Sequence, residues 1–400
     1  MRATKKYLAP ALIAAAAIAL SGCAPTPGGD TGGGGGDADA APVKVAMLTS
    51  QTGPLAAYGA AYQAGFEAGL DYATDGTGAV DGRELDITWD DDQGNPDTAV
   101  SKAKDFIGQG YRILAGTAAS GIATALAEQA AQNQILYISG PAATDAVTGV
   151  NEYTFRSGRQ TYQDVATAGT FIGDPAGKKV VVFAQDNAFG QGNLAGVEAV
   201  LGAKGAAVEG VLVAEDATEF TPFAQQILGQ SPDLVFVAWA GASSGAMWTA
   251  LQQQGVFESV PVVTGLGDVA TYGAYGEASA DISFLNHYFG GAAGTEAEAA
   301  MIAHLEANGA EPDLFSPDGF VAAQMIVQAV REGGDTVDGY IAALEDWTFD
   351  SVKGSITVRG GDHALIQPMY QAKLVNEGGS WVPELVDTVD AESVAPPAAE

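Results

Sequence analysis

Short apolar segments alternate with amphipathic ones along most of this 400-residue chain, and the alternation occurs in two successive sets. In the first set, 43–49 (VKVAMLT) is typical of a buried strand, and 60–73 has bulky side chains at helical spacing. The second set begins with another apolar segment at 178–185 (KKVVVFAQ). Repeated β-α-β units predict parallel sheets covered by helices on both faces, and two sets predict two similar lobes.

The other predicted elements follow the same alternation. Strands are predicted at 85–90, 111–116, 135–139, 207–213, 233–238, 260–264, 284–289, 354–358 and 369–375. Helices are predicted at 97–109, 121–133, 192–204, 222–228, 245–255, 296–308 and 318–332.

The first 22 residues are typical of a secretory signal. A basic start precedes an apolar stretch at 7–20, which is shorter than the roughly 20 residues needed to span a bilayer. The stretch ends in LSGC, and Cys23 is the only cysteine of the chain. This ending resembles a lipobox, so we expect a lipoprotein signal peptide at 1–22 and lipidation of Cys23. The mature protein would be extracytoplasmic and lipid-anchored to the cell membrane, and the lipid on Cys23 would be its one membrane attachment.

Composition sets further limits. Residues 23–41 contain no large apolar side chain and predict a flexible, glycine-rich tether. A formal net charge of −32 argues against nucleic acid and anionic lipid as partners. The three histidines are scattered, so no metal site is expected. Residues 391–400 predict a disordered tail.

Two loops are the strongest candidates for a ligand site. In open α/β sheets, ligands bind at the carboxyl ends of the strands. Ser120 follows one predicted strand and opens the helix predicted at 121–133, whose N-terminus offers free N–H groups and a partial positive charge. The loop 140–145 (GPAATD) follows the next strand. Because both loops lie at neighbouring strand ends, they can converge on a ligand carboxylate, although Ser120 can equally be a plain helix cap.

One motif suggests a different class of protein. Residues 241–245 (GASSG) match the G-x-S-x-G turn of serine hydrolases, with a strand before it and a helix after it. A secreted serine hydrolase using Ser243 is therefore an alternative. The motif is also compatible with a glycine- and serine-rich turn that starts a helix.

Several loops together resemble those of the Leu/Ile/Val-type periplasmic binding proteins, which capture substrates for ABC importers. The similarity extends from about residue 43 to about residue 375. The segments that carry it are QTGPLAAYG (51–59), WDDD (89–92) with Pro96, PAAT (141–144), FR (155–156) and FGQG (189–192).

The resemblance implies a set of ligand-binding residues. Ser120 and its neighbours would bind the ligand carboxylate. The backbone of Ala142 and the hydroxyl of Thr144 would bind an α-ammonium group or its equivalent. The walls of the site would come from one aromatic residue of the first lobe and two of the second: Tyr58, Phe189 and Trp239.

Three positions depart from the family pattern. Phe189 stands where the family usually has tyrosine, so it lacks the phenol hydroxyl. The acid that binds the amine in the family has no counterpart after the strand predicted at 260–264, and Asp268 is the nearest carboxylate. Arg159 is an unusual cation close to the first crossing between the lobes; it is a carboxylate clamp or a structural surface residue. The ligand is therefore open among amino acids and acidic, amide-bearing or aromatic small molecules.

The resemblance implies a type I, venus-flytrap fold with three hinge crossovers. The first lobe is expected to comprise 42–157 and 286–353, and the second lobe 158–285 and 354–390. A ligand would dock on the first lobe, and hinge closure would complete its contacts.

The function expected from the resemblance is substrate binding for an ABC importer. The partners would be a small, amino acid-like ligand and the permease and ATPase complex, and the protein would be a monomer. No covalent step, catalytic residue or cofactor is expected. A ligand-sensing lipoprotein without transport is a second alternative.

Overall fold

The structure is a computed structural model and describes residues 41–399. The predicted signal peptide, Cys23 and all but the last residue of the predicted tether lie outside the described residues. Within residues 41–399, no helix has the length and apolar character needed to cross a membrane.

The first part of the chain forms a six-stranded sheet. Its strand order is β2-β3-β1-β4-β5-β6, and all pairs are parallel except the β2–β3 hairpin. The strands are β1 (Val43–Thr49), β2 (Ala79–Val80), β3 (Arg83–Asp91), β4 (Ile113–Gly116), β5 (Leu136–Ser139) and β6 (Thr154–Arg156). The helices between them are α1 (Ala56–Ala73), α2 (Pro96–Gly108) and α3 (Ser120–Asn133).

The second part forms a seven-stranded sheet in the order β16-β15-β11-β10-β9-β7-β8. Strands β7 to β11 are parallel, and β15 and β16 add an antiparallel hairpin at one edge. The strands are β7 (Lys179–Gln185), β8 (Ala207–Val213), β9 (Leu234–Ala238), β10 (Val262–Gly265), β11 (Ile282–Asn286), β15 (Met369–Glu377) and β16 (Ser380–Val389). The helices are α4 (Thr161–Ile172), α5 (Ala188–Val200), α6 (Thr221–Gly229), α7 (Ser244–Gln253), α8 (Val256–Ser259) and α9 (Tyr272–Tyr275).

The segment after β11 returns to the first sheet. It contributes the helices α10 (Glu296–Ala307), α11 (Ser316–Gly333) and α12 (Val337–Leu344). It also forms a small antiparallel sheet from β12 (Thr348–Ser351), β13 (Gly354–Val358) and β14 (Leu365–Ile366). We call this segment and the six-stranded sheet with α1 to α3 the first lobe, and the seven-stranded sheet with its helices the second lobe.

Both lobes are built around hydrophobic cores. The first lobe has one large core that joins its sheet to α1, α3 and α11. The second lobe has one core on each face of its sheet, as expected for parallel strands covered by helices on both sides. The predicted two-lobed α/β architecture is confirmed.

The predicted lobe boundary before Gly354 differs from the structure. Ser351 pairs with Gly354 across the β12–β13 turn, so both strands of this hairpin belong to one sheet. Ile356 and Leu365 are buried in the core of the first lobe. The second lobe therefore resumes at Met369, because a boundary inside a tight hairpin would separate strands that hydrogen-bond to each other.

The prediction of a disordered tail is wrong for residues 391–399. Val394 is buried in one core of the second lobe. Arg359 of the first lobe donates hydrogen bonds to the carbonyls of Pro396 and Pro397. The N–H of Ala399 donates to the carboxylate of Asp362 at 3.0 Å. One buried valine and these long-range hydrogen bonds order a segment whose composition alone suggests disorder.

Candidate functional site

A cavity of about 660 Å³ lies between the two lobes. It is bordered by the loops at the carboxyl ends of β4 and β5 in the first lobe and of β7, β9 and β10 in the second. This is the edge at which open parallel sheets bind their ligands. The predicted residues Tyr58, Ser120, Arg159, Phe189 and Trp239 all line it.

Ser120 combines a helix N-terminus with an unsatisfied hydroxyl. It is the first residue of α3, and Ala119, in an extended conformation, precedes it as the cap. Ser120 is 4% exposed, and its Oγ has no hydrogen-bond partner among the described residues. Buried polar groups in folded proteins are nearly always hydrogen-bonded, so this hydroxyl is available for a ligand. The hydroxyl and the free N–H groups of the first turn together suit a ligand anion.

Arg159 provides a cation in the same cavity. Its Nη1 donates to the carbonyl of Pro141 at 2.8 Å, and its Nε lies 3.3 Å from a carboxylate oxygen of Asp164. The guanidinium also lies over the ring of Phe315, 5.5 Å from its centroid. Burial raises the pKa of Asp164 to about 6, although Arg159 acts in the opposite direction. The guanidinium is thus held in one orientation by three neighbours.

Aromatic side chains form the walls. Tyr58 packs edge-on against Phe315, with ring centroids 4.8 Å apart. Trp239 lies against Phe183 at 5.2 Å and donates its indole N–H to Ser243 at 3.0 Å. Phe189, at the start of α5, lines the side that belongs to the second lobe. Such walls favour a ligand with an apolar or aromatic body.

The two lobes contact each other beside the cavity. The N–H of Gly241 donates to the hydroxyl of Tyr58 at 3.3 Å. The N–H of Val269 donates to a carboxylate oxygen of Asp313 at 3.1 Å. Burial raises the pKa of Tyr58 to about 12, so this hydroxyl stays protonated near neutral pH. Each of these two hydrogen bonds joins one lobe to the other, as in a closed cleft.

Ala142 and Thr144 do not line the cavity. Arg156 is fully buried and donates hydrogen bonds to the carbonyls of both residues, at 3.0 and 3.2 Å. The N–H of Ala142 donates to the carbonyl of Thr117, and the hydroxyl of Thr144 accepts from the N–H of Ala146. The groups that were expected to bind an ammonium are therefore used inside the first lobe.

Asp268 also lies away from the main cavity. Its carboxylate accepts a hydrogen bond from the N–H of Thr271 at 2.9 Å and caps a short 3₁₀ helix, Val269–Thr271. It borders a separate hollow of about 350 Å³ at the rim of the cleft. Asp268, the carboxylate nearest in sequence to the position of the family's amine-binding acid, therefore does not line the main cavity.

His287 is a cavity residue that the sequence reasoning missed. Its Nε2 lies 3.3 Å from a carboxylate oxygen of Asp318, which in turn contacts Lys353. Burial lowers the pKa of His287 to about 4, so the ring is neutral near pH 7. The strand was predicted over 284–289, which placed His287 inside it. The strand ends at Asn286, and the rule about strand ends would then have found His287.

The geometry at Ser243 offers little support for a hydrolase. Its hydroxyl accepts the hydrogen bond from Trp239, and within residues 41–399 it has no hydrogen bond to a histidine. Over the same described range, no cluster of three His, Cys, Asp or Glu side chains is arranged to bind a metal ion.

Comparisons with known proteins identify the family. The family model of a periplasmic binding protein matches residues 42–380. The chain is 27% identical over 324 residues to Leu/Ile/Val-binding protein homolog 1 of Brucella abortus (strain 2308), covering 79% of this chain and 86% of that protein. It is 22% identical over 307 residues to the Leu/Ile/Val-binding protein BraC3 of Rhizobium johnstonii, covering 76% and 83% of the two chains.

Solved structures agree with this result. An ABC-type branched-chain amino acid transporter protein from Rhodopseudomonas palustris is 30% identical, with a TM-score of 0.73 over 89% of this chain and 99% of that one. A solute-binding protein from R. palustris in complex with 4-hydroxybenzoate has the same fold, with a TM-score of 0.78 at 21% identity over 87% and 97% of the two chains. From residue 42 to residue 380, this chain belongs to the family of periplasmic binding proteins of ABC transporters.

Proposed function

We propose that this protein captures a small carboxylate ligand, an amino acid or a related acid or amide, for import by an ABC permease. The observation that carries the proposal is the buried hydroxyl of Ser120 at the N-terminus of α3, which lines a cavity between two lobes and has no hydrogen-bond partner within residues 41–399. Relatives and structural neighbours named for branched-chain amino acids and for 4-hydroxybenzoate have in common ligands that carry a carboxylate.

The proposed mechanism is binding followed by closure. The carboxylate docks on the first lobe at Ser120 and at the first turn of α3. The second lobe then brings Phe189 and Trp239 against the body of the ligand. The bond between Tyr58 and Gly241 joins the lobes in the closed form. No step breaks a covalent bond, so no catalytic residue is assigned.

The experiment that tests this function is a thermal-shift screen. The purified protein is refolded from denaturant to remove carried-over ligand and is then mixed with amino acids, amides, short-chain acids and aromatic acids. A ligand at 100 times its dissociation constant adds about 2.7 kcal/mol of stability. Stabilisation by none of these compounds would contradict the proposal, and labelling of Ser243 by a fluorophosphonate would favour a hydrolase instead.

Ser120→Ala is expected to weaken ligand binding by about 1–3 kcal/mol, because a charged ligand group loses a hydrogen-bond partner. Titration calorimetry with the best ligand of the screen measures this loss. Ser139→Ala is the matched control, because the hydroxyl of Ser139 is also buried and unpartnered among the described residues but does not line the cavity. Equal affinity of the Ser120 variant and the wild type would remove the assignment.

We also propose that lipid on Cys23 holds the protein at the outer face of the cell membrane. Cys23→Ser is expected to release it from washed membranes into the soluble fraction, because the variant lacks the two acyl chains that supply the anchoring energy. Fractionation and immunoblotting measure the distribution. Persistence of the variant in the membrane fraction would place the anchor elsewhere.

A permease and an ATPase encoded beside the protein would favour transport over sensing.

A further inference from the structure

We infer that the cavity selects carboxylates that carry no ammonium group, and that Arg159, positioned by Asp164, is the residue that discriminates. This inference rests on the proposed function, because it names the ligand class of the same site.

The first step concerns the acceptors for an ammonium group. Arg156 occupies the carbonyls of Ala142 and Thr144. The carbonyl of Pro141, which precedes Ala142 in this loop, borders the cavity and accepts a hydrogen bond from Arg159 at 2.8 Å. Each of these three carbonyls therefore accepts a hydrogen bond from a guanidinium, Arg156 or Arg159, instead of from an ammonium.

The second step concerns the negative charges of the cavity. Among the described residues that line it, Asp164, Glu215 and Asp216 carry carboxylates. Asp164 is buried and pairs with Arg159 at 3.3 Å. Glu215 and Asp216 are exposed, and Glu215 accepts a hydrogen bond from the amide of Asn187 at 2.6 Å. Water and salt screen exposed charges strongly, so these two carboxylates attract an ammonium only weakly.

The third step is the cost of placing two cations together. An α-amino acid carries its ammonium beside its carboxylate, so both groups enter the same part of the cavity. Repulsion between this ammonium and the guanidinium of Arg159 acts in a partly desolvated site, where charges interact more strongly than in water. A carboxylate without the ammonium has the attraction to Arg159 and lacks this repulsion.

Three neighbours fix the orientation of the Arg159 guanidinium. Its position depends on the carbonyl of Pro141, the carboxylate of Asp164 and the ring of Phe315. Asp164 is itself a residue of α4, whose first turn lies directly after the first crossing between the lobes. The guanidinium is thus oriented before a ligand arrives, which reduces the entropy lost on binding.

Asp164 also makes the affinity depend on pH. Burial raises the pKa of Asp164 to about 6, and the charged groups that face it are Arg159, Asp145 and Arg156. His287, elsewhere in the cavity, is neutral because burial lowers its pKa to about 4. As the pH falls through about 6, Asp164 gains a proton and the charge of Arg159 is left unopposed. Carboxylate binding is therefore expected to strengthen from about pH 8 to about pH 5.5.

The test compares ligands that share a skeleton and differ in the ammonium group. Titration calorimetry measures 3-phenylpropionate against L-phenylalanine, and 4-methylpentanoate against L-leucine, on the refolded protein. Each acid is expected to bind at least about tenfold more tightly than its amino acid. Tighter or equal binding of the amino acids would overturn the inference and leave the proposed function standing. Binding of neither kind would also overturn the inference, whereas the proposed function is decided by the thermal-shift screen.

Two variants assign the selectivity. Arg159→Gln is expected to reduce the preference for the acids to about threefold or less, whereas Arg331→Gln, an exposed arginine away from the cavity, keeps it. Asp164→Asn leaves Arg159 charged and unopposed, so it is expected to strengthen acid binding near pH 8 and to abolish its pH dependence. An unchanged preference in Arg159→Gln, or an unchanged pH profile in Asp164→Asn, would contradict the assigned roles.

Discussion

Replacing Lys353 with Met is expected to lower the free energy of unfolding by about 3–5 kcal/mol. The ammonium of Lys353 is fully buried and contacts the carboxylate of Asp318. It also lies 3.3 Å from the carbonyl of Ser157 and 3.1 Å from the side-chain oxygen of Gln367. Methionine fills a similar volume but leaves the carboxylate buried without its cation, and that desolvation is the source of the expected loss.

The charge of Asp318 shows why the loss is large. Burial by itself would raise the pKa of Asp318, but His287 and Lys353 outweigh burial and hold the pKa well below its usual range. The folded state therefore favours the ionised form. The resulting contribution to stability is fully present above the pKa that Asp318 has in the unfolded chain. It is lost as the pH falls from that pKa to the lower pKa of Asp318 in the folded protein.

Urea unfolding followed by circular dichroism measures the effect of Lys353→Met. Lys373→Met is the matched control, because Lys373 forms an exposed ion pair with Glu384 at 2.7 Å on the β15–β16 hairpin. Exposed pairs contribute only about 0–1 kcal/mol. If both variants unfolded at the same urea concentration as the wild type, the buried cluster would not be a source of stability.

The same cluster lies where the lobes are connected. Ser157 follows β6, His287 follows β11, and Gln367 precedes β15, so the cluster touches each of the three passages between the lobes. We therefore expect Lys353→Met to change ligand affinity as well as stability. Titration calorimetry without denaturant, at a temperature far below the unfolding transition, would detect the change in affinity.

Arg156→Met is expected to destabilise the protein by about 3–5 kcal/mol, since each buried acceptor left without a donor costs about 1–3 kcal/mol, and to weaken ligand binding. Arg156 donates to the hydroxyl of Thr148 at 2.9 Å and to the carbonyls of Ala142 and Thr144. Burial lowers the pKa of Arg156 to about 10, which still leaves it charged near neutral pH. Its removal leaves these acceptors buried without a donor. Binding weakens because the loop 141–148 also carries the Pro141 carbonyl that orients Arg159.

Thermal unfolding and calorimetry on Arg156→Met test both parts of this prediction. Arg112→Met is the control: Arg112 is exposed, and among the described residues its side chain donates only to the carbonyl of its neighbour Tyr111. Surface changes of this kind alter stability by about 0.5 kcal/mol or less. A loss of binding without any loss of stability would mean that Arg156 shapes the site but does not support the fold.

Local sequence pattern predicted much of the fold and the position of Ser120, which lines the cavity. The apolar strands and helical spacing predicted β1 and most of α1, although α1 begins at Ala56 instead of residue 60. The rule that ligands bind at strand ends found Ser120, because it depends only on where a strand ends and a helix begins. Helix and strand periods are local properties, so one sequence is enough to read them.

Long-range pairing accounts for the predictions that differ from the structure. Gly354–Val358 has the pattern of a strand, but its pairing with β12 decides which lobe it joins. The tail is ordered by Arg359 and Asp362, which lie more than 30 residues earlier in the chain. No local pattern reveals a hydrogen bond between residues so far apart.

The sequence by itself determined the two-lobed α/β architecture and the place of Ser120 between a strand and a helix, because hydrophobic periodicity and helix starts depend on neighbouring residues. The tertiary structure decided which groups reach the cavity. Arg156 turns Ala142 and Thr144 away from it, and Asp164 holds Arg159 within it. The direction of a side chain depends on partners that only folding brings together, and here those partners decide which charged groups line the cavity.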